Sequence, residues 1–545
     1  MSLRQQVAQL VVVQFFGNAP RSRSREYREL ERLIRQEGIG GLIILNRVRR
    51  GVVVNAEPYA MAAFLNRVQK LASIPLIVGG DFERGASMRV SGTVKFPHSM
   101  AYGAVNDLEG TRYLARQTAR EARALGVHWI FAPDADVNNN ADNPVINLRS
   151  FGENPGLVAA HVEAYIQGAH SDPGAKVLVC VKHFPGHGDT AVDTHVGLAS
   201  VAGDRDRLNQ VELKPFRAAI AAGVDSVMPG HLTVPAIEPE EIPATVSKRV
   251  VTGLLKEELG FKGIVTTDAM DMEGLAREFP NGEAAVRAIE AGVDVLLIPP
   301  RPDAAIDAVV KAVESGRISK ARIRASVEKI LAAKVKLGLA TKRLVDVEAI
   351  AETIGDPEAQ QMASSIAARA LTLVRNDRQV FPVTEPDRSC LYALSENRHS
   401  ILGRTLVDEV KDLAPRMSAL WLDATLPDAA FADIANSAAT CAKVFVATFA
   451  AASAARGGEG LALSPPLTKF VNLLLAGPAP VGLISFGNPY LLRAFPSVPG
   501  YVATFSTAQV SEAAMAKALF GGVPYRGRLP VMIPGIAEYG TGLTQ

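Results

Sequence analysis

The sequence predicts an α/β protein in which a (β/α)8 barrel is followed by a second α/β block. Three observations carry that prediction. Short apolar runs recur eight times along roughly the first 300 residues, and the segments between them are long enough for crossover helices. The runs are nearly continuous in Val, Ile and Leu, as expected of strands buried on both faces of a parallel sheet. At 545 residues the chain also exceeds what one ordinary core organises. A doubly wound open sheet is the competing arrangement, but no G-x-G-x-x-G follows the first run.

The expected strands are Leu10–Phe16, Gly41–Leu45, Pro75–Val78, Val127–Phe131, Lys176–Val181, Ser226–Met228, Lys262–Thr266 and Val293–Ile298. Between them, amphipathic stretches such as Asp107–Leu125 and Arg207–Ala222 read as helices. The repeat closes with a helix capped by Ser319 and ending at Leu337, with Gly338 as its stop. Residues 1–345 are therefore assigned to the barrel and 346–370 to a polar linker with a helical segment. Residues 371–545 form the second block, with strands expected at Leu371–Val374, Leu391–Leu394, Val444–Thr448, Val481–Phe486 and Val502–Phe505. The Ala-rich stretch Ala429–Ala455 is interrupted by Asp433 and Lys443 and reads as packed helix and strand.

Composition narrows the function classes. With 48% hydrophobic and 21% charged residues the chain is neither disordered nor a coiled coil nor collagen-like. Lys and Arg total 58 against 56 Asp and Glu, so no basic surplus points to nucleic acid or an anionic membrane. The apolar runs fall far short of a membrane span. Cys180, Cys390 and Cys441 are too few and too scattered for a disulfide framework or a cysteine zinc site. The N-terminal residues lack the small-residue cleavage site of a signal peptide. The chain as given is thus expected in the cytoplasm or, had an export signal preceded it, in the periplasm or outside the cell.

Polar residues gather at strand ends. Asp81 follows the third run, Asp134 and Asp136 the fourth, Lys182 and His183 the fifth, His231 the sixth and Asp268 the seventh. One Asp after a strand is usually a helix N-cap. Polar groups from five strands would instead converge at the C-terminal mouth of a barrel, where active sites of this architecture lie.

The densest stretch runs from Val181 to His195 and holds three histidines, one lysine and two aspartates. A metal site would need His183 and His187 on one helix face, which Pro185-Gly186 between them opposes. A phosphate loop lacks the G-x-x-x-x-G-K-[ST] order. An acid/base device fits better. Asp193 and His195, two apart in an extended loop, lean to one side, and a carboxylate beside an imidazole raises its pKa toward neutrality. The matching carboxylate is Asp268, immediately after the seventh run; Asp271, three residues on, suits a loop or helix cap.

At these residues the sequence resembles glycoside hydrolase family 3, in its β-N-acetylglucosaminidase (β-N-acetylhexosaminidase) branch. The resemblance is carried by KHFPGHGDTAVDTH at 182–195, VTTDAMDMEG at 265–274, GGDFERGASMR at 79–89, NLRSFGENP at 147–155 and MPGHL at 228–232. It spans most of residues 1–340 in family order, and the remaining block is similar to the family's C-terminal α/β sandwich. The resemblance implies Asp268 as a nucleophile forming a covalent glycosyl-enzyme, with His195 as acid/base and Asp193 as its partner. It further implies Asp81, Arg149, Lys182, His183 and His231 around the sugar. No metal or organic cofactor is implied, and the partner is a small carbohydrate, a β-GlcNAc glycoside of peptidoglycan or chitin origin. A β-GlcNAc phosphorylase, a β-glucosidase-type relative and a catalytically silent glycan-binding protein are the alternatives. Phe82, Arg84 and Asn154 depart from the family pattern; the departures leave the catalytic assignment intact, and what the resemblance implies for the aglycone side does not carry over with them. In the second block, Arg456–Gly460 resembles a mobile polar lip, with an ordinary Gly-rich turn as the plainer alternative.

Overall fold

The computed structural model describes every residue except 18, 194–196, 273–274, 276–277, 280–281, 452–457 and 545, and the side chains of 458 and 459. Eight strands form the first sheet: β1 Val11–Phe16, β2 Gly41–Leu45, β3 Ile77–Gly80, β4 Trp129–Ile130, β5 Leu178–Phe184, β6 Ser226–Pro229, β7 Ile264–Val265 and β8 Leu296–Leu297. Their order is β7-β6-β5-β4-β3-β2-β1-β8, parallel throughout. The ends of that order meet. Thr266 bridges Val295 in parallel, and the Thr267 N–H donates to the Val295 carbonyl at 3.0 Å. The sheet therefore curls into the predicted barrel.

Each expected run supplies one strand, but the ladders are short at β4, β7 and β8. By contrast β5 runs three residues past its expected end, because Lys182 pairs with Met228 and Phe184 with Pro229. Lys182 and His183 thus stand within a strand, joined by a cis peptide. The interior is closed by fully buried aromatics, including Trp129, Phe131 and Phe184, and the Trp129 indole N–H donates to Ser226 Oγ at 2.8 Å.

The helices begin and end where capping chemistry places them. Asp107 accepts from the N–H groups of Glu109 and Gly110 at the start of Leu108–Ala124. Ser319 caps Lys320–Lys336, and Gly338 follows with a left-handed φ of 72°. The expected Arg207–Ala222 helix is two, Arg205–Gln210 and Leu213–Ala221. Asn154 caps Pro155–His170, accepting from Gly156 and Leu157 at 2.8 and 3.1 Å. That departure from the family pattern exchanges one good cap for another, and no aglycone contact need be invoked.

Pro357–Ala370 leads into a second sheet of β9 Thr372–Asn376, β10 Ser389–Ser395, β11 Ser418–Asp423, β12 Lys443–Ala450, β13 Val481–Gly487 and β14 Gly500–Ala503. Its order is β9-β14-β13-β12-β10-β11, with β9 antiparallel to β14 and the rest parallel. Helices pack beside it in the α/β sandwich expected. Strand β11 escaped the sequence reading because it lies at the edge, where burial alternates along the strand and no continuous apolar run is needed. Cys390 of β10 and Cys441 form a disulfide with Cα atoms 6.0 Å apart, while Cys180 is free and buried. The cysteines read as scattered therefore include one bridged pair, brought together by the β10–β12 pairing. Among the described residues no helix is long and apolar enough to cross a membrane.

Replacing Asn154 by Ala should lower stability by about 1 kcal/mol, whereas Asn154→Asp should change it by only a few tenths. Urea denaturation measures both; equal losses would show that the cap is not what Asn154 contributes.

Candidate active site

At the C-terminal mouth of the barrel a buried cation organises three carboxylates. The Lys182 Nζ lies 2.9 Å from Asp81 Oδ1, 2.8 Å from Glu83 Oε1 and 3.9 Å from Asp134 Oδ1. Asp81 follows β3 and takes a second ion pair from Arg89 at 2.8 Å. Burial alone would raise its pKa, but Lys182 and Arg89 outweigh that and bring it down to about 2. Arg149 reaches in from the loop after β4. Its Nε and Nη2 donate to the two oxygens of Glu83 at 3.0 and 2.9 Å. This bidentate pair, with Lys182, holds Glu83 well below its ordinary pKa despite burial.

His183, next along β5, points its Nδ1 at Asp136 Oδ2, 2.8 Å away, and its Nε2 lies 3.3 Å from Arg149 Nη2. Since a guanidinium can only donate, His183 Nε2 accepts and Nδ1 carries the proton. Asp136 also accepts from the backbone N–H groups of His183 and His187, at 3.2 and 2.6 Å. Asp134 is the exception. Its carboxylate is fully buried and lies 3.0 Å from Arg149 Nε, yet among the described residues no hydrogen bond reaches either oxygen, because Arg149 aims its Nε and Nη2 at Glu83. Burial, opposed by Arg149 and reinforced by Glu83, pushes its pKa up to about 7.

Asp268 stands just past β7, half-buried, with Oδ1 accepting from the Ala269 N–H at 2.7 Å. Burial would favour its neutral form; His183, His231, that N–H and Lys182 reverse the preference and lower its pKa. It is ionised at neutral pH. Asp271 is exposed in the turn beyond. His231 is fully buried, with Nδ1 2.9 Å from Thr245 Oγ1 and Nε2 3.0 Å from the Ala269 carbonyl. A carbonyl only accepts, so Nε2–H donates and ties β6 to the Asp268 turn. Both ring nitrogens of His231 meet protein atoms, so it enters the site as a brace for the Asp268 turn.

The structure thus brings together Asp81, Arg149, Lys182, His183 and Asp268 from the C-terminal ends of four strands. Asp193 lies half-buried on the loop after β5, where its carbonyl accepts from the Gly197 N–H at 3.0 Å. The expectation for His195 falls outside the described residues, as does part of Arg456–Gly460. His187 belongs to the loop's framework: its Nδ1 meets Thr190 Oγ1 at 2.6 Å, and burial followed by His183 lowers its pKa to about 4. The same loop passes so close to Val137 that a β-carbon at Gly188 would collide with the Val137 carbonyl. Phe82 is fully buried beside β3, so it packs the core and faces no aglycone.

Glu83, Arg89 and the role of Asp136 were not read from the sequence. Glu83 had a signal, since it stands two residues after Asp81 and shares a face with it in extended chain. Arg89 had none, because the 3-10 turn Ala86–Met88 intervenes. Asp134, Asp136 and His183 also bring possible metal-ligand atoms within 4.8 Å of one another. Arg149 already supplies the positive charge among them.

A closed parallel barrel with a carboxylate-rich mouth, anchored by Lys and Arg, has the form of a barrel enzyme's active site. The comparisons make the class specific. Residues 2–333 match the model of the glycosyl hydrolase family 3 N-terminal domain. The beta-hexosaminidase A of Pseudoalteromonas piscicida is 32% identical over 407 residues, 68% of this chain and 66% of that protein. A beta-N-acetylglucosaminidase/beta-glucosidase of Cellulomonas fimi is 29% identical over 491 residues, 86% of each chain. The solved family 3 β-N-acetylglucosaminidase of Paenibacillus sp. FPU-7 superposes with a TM-score of 0.85 and 32% identity, over 98% of this chain and 99% of that one. The chain belongs to glycoside hydrolase family 3.

Asp134 sets a pH dependence with a definite sign. Its native pKa near 7 exceeds the ordinary 3.8, so the native state binds that proton more tightly than the unfolded chain. Its contribution to stability is therefore greatest at low pH and declines as pH rises from about 4 to about 7. Thermal unfolding of Asp134→Asn against the parent should show a melting-temperature difference that grows in favour of the variant over that range, then levels. A difference that stays flat from pH 4 to 8 would refute the raised pKa.

Proposed function

We propose that this chain is a retaining β-N-acetylhexosaminidase that releases terminal, non-reducing β-linked N-acetylglucosamine from peptidoglycan fragments or chitooligosaccharides. The observation that carries the reading is an ionised Asp268 at the barrel mouth beside the Asp81–Lys182–Glu83–Arg149 cluster. The printed names of the relatives supply the sugar, as all three include β-N-acetylglucosaminidase or hexosaminidase.

In the proposed mechanism Asp81, Lys182, Arg149 and His183 hold the sugar hydroxyls. These groups are fixed by one another before substrate arrives, so little reorganisation accompanies binding. A carboxylate oxygen of Asp268 attacks the anomeric carbon as the bond to the leaving oxygen breaks. His195, oriented by Asp193, gives its proton to that oxygen. A glycosyl-Asp268 ester results, which water cleaves as His195 takes back a proton, and two inversions leave the configuration retained. His231 keeps Ala269, and with it Asp268, in place. Asp193, its proposed partner, lies on the loop after β5, where substrate can draw the pair in.

Incubation with a 2-fluoro or 5-fluoro sugar should label Asp268; a label on Asp271 would overturn the assignment. His195→Ala should lower kcat/KM on glycosides with poor leaving groups by about 10²–10⁴-fold, and far less on nitrophenyl glycosides, whose leaving groups need no protonation. Equal losses on both substrate types would contradict His195 as the acid. Among aryl β-glycosides the N-acetylglucosaminide should be cleaved best. No release of nitrophenol from it would defeat the substrate reading, and GlcNAc-1-phosphate as the product in phosphate buffer would redirect it to phosphorolysis.

A further inference from the structure

The second sheet's domain meets the barrel on the segment 138–153, the stretch that delivers Arg149. Two buried asparagines organise that contact. Asn138 Oδ1 accepts from the Asn147 N–H at 2.9 Å, and its Nδ2 donates to the Tyr490 hydroxyl at 2.9 Å. Asn147 opens the one-turn 3-10 segment Asn147–Arg149 with a left-handed φ of 39°, a conformation that asparagine tolerates better than most non-glycine residues. Its Nδ2 donates to Asn488 Oδ1 at 3.2 Å. Asn488, just after β13, is itself fixed at two further points: its backbone N–H donates to the Ala450 carbonyl at 2.7 Å and its Nδ2 to the Leu461 carbonyl at 2.8 Å.

The far end of the segment is held from the same side. Glu153 donates its N–H to the Pro530 carbonyl at 3.0 Å, and its carboxylate accepts the Met532 N–H at 2.7 Å. A β-carbon at Gly152 would collide with the Pro530 carbonyl, so the two backbones are in contact there. Arg149 therefore sits between two anchors provided by the second domain. Its guanidinium must satisfy both Glu83 oxygens and His183 at 2.9–3.3 Å, a geometry that tolerates little drift.

We propose that the second domain is a positioning element for the active site, with Asn488 and Tyr490 as positioning residues that set Arg149 through Asn147 and Asn138. The inference rests on the reading of Arg149 as a sugar-holding residue. Neither Asn488 nor Tyr490 touches substrate; each removes freedom from the loop that does.

The test uses Asn488→Ala and Tyr490→Phe in the full chain. KM for the aryl β-N-acetylglucosaminide should rise about tenfold in the first variant and severalfold in the second, with kcat held within about twofold. The rise should vanish when either change is made in an Arg149→Lys background, because residues acting through one another are not additive. Deuterium uptake by the amides of 146–153 should increase in both variants, and this readout requires no turnover. If the wild-type chain cleaves no glycoside, the functional reading fails while exchange still decides the positioning. Unchanged KM and unchanged exchange, with only a lower melting temperature, would overturn the proposal by showing that the domain merely packs there. Should Asn488→Ala fail to fold, Tyr490→Phe, which removes a single oxygen, decides the question in the same way.

Discussion

The mouth of the barrel depends on one buried ion, the Lys182 ammonium between Asp81 and Glu83. A buried charge is tolerated only when its partners are close and well aimed, and the same holds for each carboxylate it meets. Asp81 and Glu83 follow β3, Asp134 follows β4 and Lys182 stands on β5, so their mutual neutralisation joins the ends of three strands. Arg149 joins by clasping Glu83 and thereby leaves Asp134 buried with no hydrogen bond from the described residues. The cluster also acts on Asp268. Positive and dipolar groups on β5 and β6 keep that carboxylate ionised where burial alone would neutralise it. The proposed nucleophile and the proposed cradle for the sugar would thus arise from one set of charges.

This explains why near-neutral overall charge accompanies a strongly polar site. The 58 basic and 56 acidic residues create no steering field, and a neutral sugar needs none. What it needs is a few desolvated, mutually paired groups whose positions do not change on binding. Membership of glycoside hydrolase family 3 agrees with that arrangement. The second domain, in turn, is placed to keep one of those groups, Arg149, from drifting.

Much of the fold was legible in the sequence, because barrel strands are buried on both faces and advertise themselves as continuous apolar runs. The same criterion missed β11, an edge strand with alternating burial. Strand-end positions placed Asp81, Lys182, His183 and Asp268 together at the barrel mouth, since side chains at those addresses have one place to go. Partnerships were harder to read. The pairing of Glu83 with both Arg149 and Lys182 joins residues 66 and 99 positions apart in the chain, and no local pattern encodes it. The contacts of His231 with Thr245 and Ala269 also join residues that no local pattern pairs. The Cys390–Cys441 bridge likewise follows from sheet order, which spacing does not disclose.

The central claim is that the Lys182-centred cluster holds the sugar and presents its anomeric carbon to Asp268. A crystal structure with N-acetylglucosamine bound tests it most directly. The account predicts sugar hydroxyls within hydrogen-bond distance of Asp81 and Lys182 and the anomeric carbon facing the Asp268 carboxylate. A sugar bound with its anomeric carbon turned away from Asp268, or seated without contact to Asp81 and Lys182, would contradict it.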